Sequence, residues 1–191
     1  MHKQFLQMAL AGMLSFGLGT VVKADDYTID AVHSGVSFQI SHVGLAYIHG
    51  RFDDFSGNFT IDTSDPTKSA FSLSIKSESV DTNNSKRDDH LRSPDFFNVK
   101  QFPTISFTST SVKPIDGGYE VTGDLTIHGA TKPVTFSLKG GASAEFPKGV
   151  SRTGFSTSQI VVKRSDFGVG KPMPVLGDEV YVSISFEGTK K

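Results

Sequence analysis

The chain contains no cysteine and no tryptophan, and only four tyrosines. Without cysteine no disulfide braces the fold and no thiolate metal centre forms. No lipid anchor on an N-terminal cysteine is expected either. Without tryptophan, and with tyrosine sparse, the aromatic girdles of an outer-membrane barrel are missing. Charge of either sign is modest, with 19 Lys and Arg against 20 Asp and Glu. That balance argues against nucleic acid and against an electrostatic hold on anionic membranes.

Recognisable chemistry is also scarce. Beyond the first 24 residues the histidines are His33, His42, His49, His90 and His128. No pair has metal-ligand spacing on a helix, so no metal is expected. No Gly-x-Ser-x-Gly elbow surrounds a serine. Asp53-Asp54 and Asp88-Asp89 are sequence neighbours, and on an extended strand such neighbours point to opposite faces. The residues therefore read as a binding protein that needs no cofactor, and not as an enzyme. The rival class is a His-metal enzyme acting on a lipophilic substrate.

One apolar run stands out. Met8 to Gly19 follows Lys3 and is too short to span a bilayer, and Val22-Lys23-Ala24 supplies small residues at a cleavage position. Residues 1–24 are read as a secretory signal peptide and 25–191 as one domain, free in the periplasm and not membrane-spanning. Losing Lys3 and Lys23 takes the net charge from −1 to −3. Phenylalanine is abundant: Phe5 and Phe16 lie in the leader, and fourteen of the sixteen lie beyond it.

The dominant pattern is alternation with period two. Val36, Phe38 and Ile40 share one face, as do Phe71, Leu73 and Ile75, Ile105 and Phe107, Leu125 and Ile127, Val134 and Phe136, and Val182 and Ile184. The strand from Leu45 to Asp62 slips parity near Asp53-Asp54, which predicts a β-bulge. A weaker strand covers Val150 to Val162. Turn signals at Asp116-Gly117-Gly118, at His128 to Pro133 and at Ser64-Asp65-Pro66 link these strands as hairpins. Only Ser79 to Phe102 breaks the meander. There Asn83 to Arg92 has helical character, and Ser93-Pro94-Asp95 reads as a second helix start. Eight antiparallel strands with a continuous apolar face close into a barrel or stack as a sandwich, and alternation alone does not separate the two. A barrel of this size holds one small ligand, unless its own side chains fill it.

Tyr27-Thr28-Ile29-Asp30, His42-Val43-Gly44, Arg87-Asp88-Asp89-His90-Leu91, Asp95-Phe96-Phe97-Asn98-Val99, Gly123 to Gly129 and Arg164-Ser165-Asp166-Phe167-Gly168 occur in an order and spacing that resemble the YceI-like family. The resemblance implies an all-β, extended eight-stranded antiparallel lipocalin-like barrel with a helical connection between strands three and four. It implies a lumen for a long-chain amphiphile, an isoprenoid quinone or polyprenyl lipid before a fatty acid or fatty amide, and homodimers. On that reading Val36, Phe38, Ile40, Phe52, Phe55, Phe71, Leu73, Ile75, Phe107, Leu125, Phe136, Val182 and Ile184 line the lumen. His42, Arg51 and His90 then hold the head of the lipid by hydrogen bonds.

Overall fold

The computed structural model describes residues 24–191. The expected leader, residues 1–24, falls outside the described residues except for Ala24. Twelve hydrogen-bonded segments form one antiparallel sheet. They combine into eight long strands, because several strands are interrupted. Strand β1 is Asp25–Ile29 and Gly35–His42, β2 is Ala46–Phe52 and Phe55–Ile61, and β3 is Ala70–Lys76 and Val80–Asp81. Strands β4 (Thr104–Ile115), β5 (Gly118–Ile127) and β6 (Ala130–Glu145) are continuous. Strand β7 is Ser151–Thr157 and Ile160–Lys163, and β8 is Leu176–Lys190. Each strand pairs with the next, and β8 returns to β1 through Tyr27↔Lys190 and Phe38↔Val182. The sheet is a closed barrel, so the sandwich is excluded. Its apolar face points inward, the reverse of an outer-membrane barrel.

The strand breaks bend the wall while keeping backbone groups paired. At Asp53-Asp54 the parity slips as the sequence predicts, so Phe52 and Phe55 both point inward. The Asp53 amide donates to Ser79 O (3.1 Å) and the Lys76 amide to Asp54 O (2.9 Å). Strand β1 breaks at a 3-10 turn, Ala31–His33, capped by the Asp30 side chain. That carboxylate also accepts from Arg152 on β7 and from His33 Nδ1 at 2.7 Å. The Arg152 guanidinium, and then His33, hold the Asp30 carboxyl well below the usual carboxylate range, against the opposing pull of burial.

Two local expectations change. The β5–β6 turn is two residues, His128 (φ 51°) and Gly129 (φ 78°), and β6 already begins at Ala130. Two left-handed residues make the type I′ geometry whose twist matches the flanking strands, so Pro133 belongs to the strand and not to the turn. Helix α1 (Ser85–Arg92) occupies the β3–β4 connection, with Asn84 as its N-cap. Ser93 closes this helix instead of starting another: its amide and hydroxyl both bond His90 O, and a turn follows.

The interior divides along the barrel axis. At one end Tyr27, Phe59, Phe71, Phe155 and Phe186 are buried in mutual ring contact, with Tyr27 stacked on Phe59 at 4.7 Å and Phe155 edge-on to Phe71 at 5.7 Å. In the middle Val36, Phe52, Phe55, Ile75, Val80 and Ile105 pack together. At the other end Phe96, Val162, Phe167 and Val169 gather under α1 and the loop before β8. Phenylalanine rings lie on glycines across the wall: Phe38 covers Gly50 and Phe107 covers Gly123 on the neighbouring strand, and Phe59 on β2 reaches past β1 to cover Gly188 on β8. A bare Cα makes room for a ring that fills space and has no polar atom to satisfy.

A β-carbon at Gly188 would overlap the Phe59 ring, which its stacked neighbours hold in place. Gly188→Ala is expected to lower stability by about 1–3 kcal/mol. Gly35→Ala, which meets nothing within 4 Å, serves as the neutral control. Equal urea midpoints for the two variants would contradict the overlap.

Asp30 gives an acid-side signature. Its folded pKa lies below the ordinary 3.8, so its contribution is complete above that value and is lost as pH falls through the lower folded value. Asp30→Asn should destabilise the protein near neutral pH. The gap between variant and parent should narrow at successive steps below pH 3.8 in urea titrations. A gap independent of pH would remove Asp30 from the acid response.

Candidate binding lumen

Between the aromatic end and the opposite mouth lies a cavity of about 460 Å³. Register explains its wall. Phe38 pairs with Val182, Val36 with Ile184 and Ile40 with Val180, all on the inward parity of β1 and β8. Leu73 pairs with Phe107 across β3 and β4, and Phe107 with Leu125 across β4 and β5. The cavity is lined by Val36, Phe38, Ile40, Phe52, Phe71, Leu73, Ile75, Phe107, Leu125, Phe136, Val182 and Ile184. Several of these, among them Phe38, Leu73, Leu125, Phe136 and Val182, are only half-buried although they point inward, because the lumen they face is not filled by side chains. Phe59, Phe71, Leu138 and Phe186 reach the same cavity from the aromatic end and form its floor.

Phe55 and Arg51, named from the sequence for the lining and the head, do not border this cavity. Phe55 is buried in the middle cluster, packed aside where the Asp53-Asp54 break shifts parity, and it faces a separate cleft. Arg51 sits one residue from the inward Phe52, so alternation turns it outward. Its side chain is 64% exposed and bonds Asp53 at 2.7 Å and Asp81 at 2.6 Å, tying β2 to β3. Those partners, Asp53 foremost, raise the guanidinium pKa above its ordinary value.

His42 and His90 do line the cavity, and both lie at its mouth. His42 ends the second segment of β1 and pairs with Leu176 at the start of β8. His90 projects from α1 with its ring edge-on to Phe96 at 4.9 Å and Nε2 3.3 Å from Asp95. Buried Asp88 fixes this helix, accepting the Thr82 amide at 2.9 Å and the Thr82 hydroxyl. Arg92 faces away from the cavity and ties α1 to β3 through Glu78 O and Val80 O.

Among the cavity residues absent from the sequence-based set are two arginines. Arg87, three residues before His90, lines the mouth and donates Nε to the Thr82 hydroxyl and Nη2 to Thr82 O, both at 2.7 Å. Arg164 is only 8% exposed and bonds the carbonyls of Gly177, Val169 and Lys171. Its inward position was readable, since Ile160, Val162 and Arg164 share one parity at the end of β7. Among the described residues no group of three His, Cys, Asp or Glu side chains is placed to hold a metal ion.

A closed eight-stranded meander around one apolar cavity defines an extended lipocalin-like barrel. Residues 27–188 match the YceI-like domain, and the chain belongs to that family. Protein YceI of Escherichia coli is 39% identical over 193 residues, spanning the whole of both chains. Among solved structures, the Campylobacter jejuni YceI protein superposes with a TM-score of 0.70 at 31% identity, covering 77% of this chain and 87% of that one. A domain from Saccharophagus degradans, described as polyisoprenoid-binding, superposes with a TM-score of 0.63 at 18% identity, covering 86% of this chain and 98% of that one, and shares the fold.

Asp88→Ala leaves the buried Thr82 amide and hydroxyl without their acceptor. The variant is expected to lose about 1–3 kcal/mol. Amide exchange along Ser85–Arg92 should accelerate more than exchange in β4 and β5, as α1 loses its hold on β3. Uniform acceleration across the barrel would show that Asp88 does not anchor the helix specifically.

Proposed function

We propose that the chain is a periplasmic binding or carrier protein that holds a long-chain amphiphilic lipid in the barrel lumen. An isoprenoid quinone or polyprenyl lipid comes first, and a fatty acid or fatty amide is the alternative in the same space. The observation that carries this reading is a set of inward Phe, Leu, Val and Ile side chains that stay accessible on a cavity of about 460 Å³. An apolar wall with polar groups at one mouth suits a ligand that is greasy along its length and polar at one end. Burying hydrocarbon contributes about 0.8 kcal/mol per CH₂, so a chain of roughly fifteen carbons supplies enough to offset the ordering costs of association. The polyisoprenoid-binding description of the Saccharophagus neighbour supports the same ligand class. The features of residues 1–24 support export.

The direct test is mass spectrometry of the organic extract of protein purified gently from its native host. A stoichiometric long-chain lipid is expected, and repeated empty extracts would count against the carrier reading. A point substitution probes the lumen itself. Val182→Trp adds volume where a half-buried side chain faces the cavity. It should reduce ligand retention at least about tenfold, equivalent to 1.4 kcal/mol, while circular dichroism and thermal unfolding stay close to the parent. Full retention in the folded variant would move the ligand elsewhere.

A further inference from the structure

The rim of the mouth carries an apolar tip that the fold itself does not need. Strands β1 and β2 join there through Val43 and Gly44, and the Leu45 amide donates to His42 O at 3.1 Å. Both turn residues are left-handed, Val43 at φ 49° and Gly44 at φ 68°. A two-residue turn of this kind favours Asn-Gly or Asp-Gly. A β-branched side chain is among those that positive φ suits least. The backbone therefore opposes Val43, and so does water. Val43 is 45% exposed, and Leu45 beside it is 88% exposed. An asparagine at position 43 would relieve both costs. An apolar residue held against its local preference points to contact with something outside the chain.

The tip is continuous with the lumen. The Val43 amide donates to Val175 O at 2.8 Å, which brings the turn against the segment before β8. Val175 is half-exposed and also lines the cavity. Apolar surface thus runs from the tip, over the rim and into the wall. Below the tip, on the outer face, the rings of Tyr47 and Tyr181 meet edge-on at 5.9 Å. Tyr47 is level with Ser41 and Tyr181 with Gln39. That puts the two rings about 3 and 10 Å along the strands from His42. The Tyr181 hydroxyl donates to Glu179 at 2.8 Å, so its polar end stays in a polar setting.

Size and layering decide what this surface meets. Burying Val43, Leu45 and Val175 fully removes only about 300 Å² per copy from water. A stable interface between two proteins takes roughly 1,200 Å² or more in total. Aliphatic side chains at the tip, with tyrosines a few ångströms behind, match the order of a bilayer surface, acyl boundary first and headgroups next. Surface-bound segments sink about 5–10 Å into that layer, the span between the tip and the tyrosines. Charge does not supply the hold, because Glu179 stands beside the patch and the charges of the chain nearly balance.

We propose that the β1–β2 tip docks the mouth of the barrel on the surface of a phospholipid bilayer. Val43, Leu45 and Val175 enter the acyl boundary, and Tyr47 and Tyr181 lie among the headgroups. The proposal rests on the carrier reading for its purpose, and it names the surface with which the lumen exchanges its lipid. A hydrocarbon chain passes between bilayer and lumen along apolar side chains, without a stretch of open water.

The lack of tryptophan gives a direct test. Leu45→Trp introduces the only tryptophan of the protein, at a position open to solvent. The purified variant is mixed with vesicles of phosphatidylcholine and phosphatidylethanolamine. Its emission should shift to the blue and be quenched by lipids brominated on their acyl chains, at low and high salt alike. Phe146→Trp, exposed in the β6–β7 connection at the aromatic end, should show neither change. Val43→Asn should sediment with vesicles at least about fivefold more weakly than the parent, while its urea midpoint rises because asparagine suits the left-handed turn. A loss of binding that came only from misfolding would lower that midpoint and would count against the tip. No vesicle-dependent shift at position 45, or equal shifts at 45 and 146, overturns the docking and leaves the carrier reading, which extraction tests, intact. A shift that needs anionic lipid or vanishes in salt overturns the apolar hold. A shift that grows with protein concentration in the absence of vesicles assigns the tip to a second copy of the chain and overturns the bilayer. A vesicle-dependent shift in protein whose extracts are empty upholds the docking surface and counts against the carrier reading.

Discussion

The pairing of β8 with β1 is the constraint on which the rest depends. Once Tyr27 meets Lys190 and Phe38 meets Val182, the sheet has no free lateral edge and every strand acquires an inside and an outside. Period-two alternation then sorts the chain without further instruction. Val36, Phe38 and Ile40 go in, and Ser37, Gln39 and Ser41 go out. A single residue of slip would exchange the two sets, which is why the places where parity does slip are held so firmly. The Asp53-Asp54 break is pinned by two backbone hydrogen bonds and by the Lys76–Asp54 ion pair at 2.7 Å. The β1 break is pinned by Asp30, Arg152 and Ser34. In both cases polar side chains define where an apolar pattern changes phase.

The two ends of the barrel solve opposite problems. One end is filled by rings that stack and meet edge to face, with glycines opposite to accommodate them. The other end is roofed by α1 and by the segment between Arg164 and Leu176, elements held largely by side-chain bonds to backbone carbonyls. Hydrocarbon packing gives a dense end. Directed hydrogen bonds on connecting segments give an end built from polar groups. The division of labour follows from composition. A chain without tryptophan or cysteine relies on phenylalanine for bulk, and the charged residues gather where the strands stop.

Much of this was legible in the sequence, for physical reasons that differ by position. Val182 and Ile184 could be read because a half-buried strand has no other way to alternate. The α1 segment could be read from its break in period and its polar composition. Asp25–Ile29 was harder, since five residues beginning with two aspartates carry too little alternation to register as a strand edge. Pro133 drew the predicted turn too far, because proline is a turn signal in isolation but is tolerated in β6. Arg51 was assigned to the head for its chemistry, although its neighbour Phe52 already showed that it points outward. Arg164 was passed over for the reverse reason: its parity was inward, but arginine is rarely expected inside. In both cases local alternation recorded the direction, and residue chemistry was weighed above it.

The aromatic floor gives the lumen one closed end, and this turns the barrel into a sheath with a single opening. On the proposed carrier reading, a guest enters tail first and leaves head first, through the same door. Nothing can thread through or be pushed out from behind. On that reading the depth from mouth to the Phe59–Phe71 stack is a gauge for the length of chain that fits. A chain longer than that depth leaves its excess at the opening.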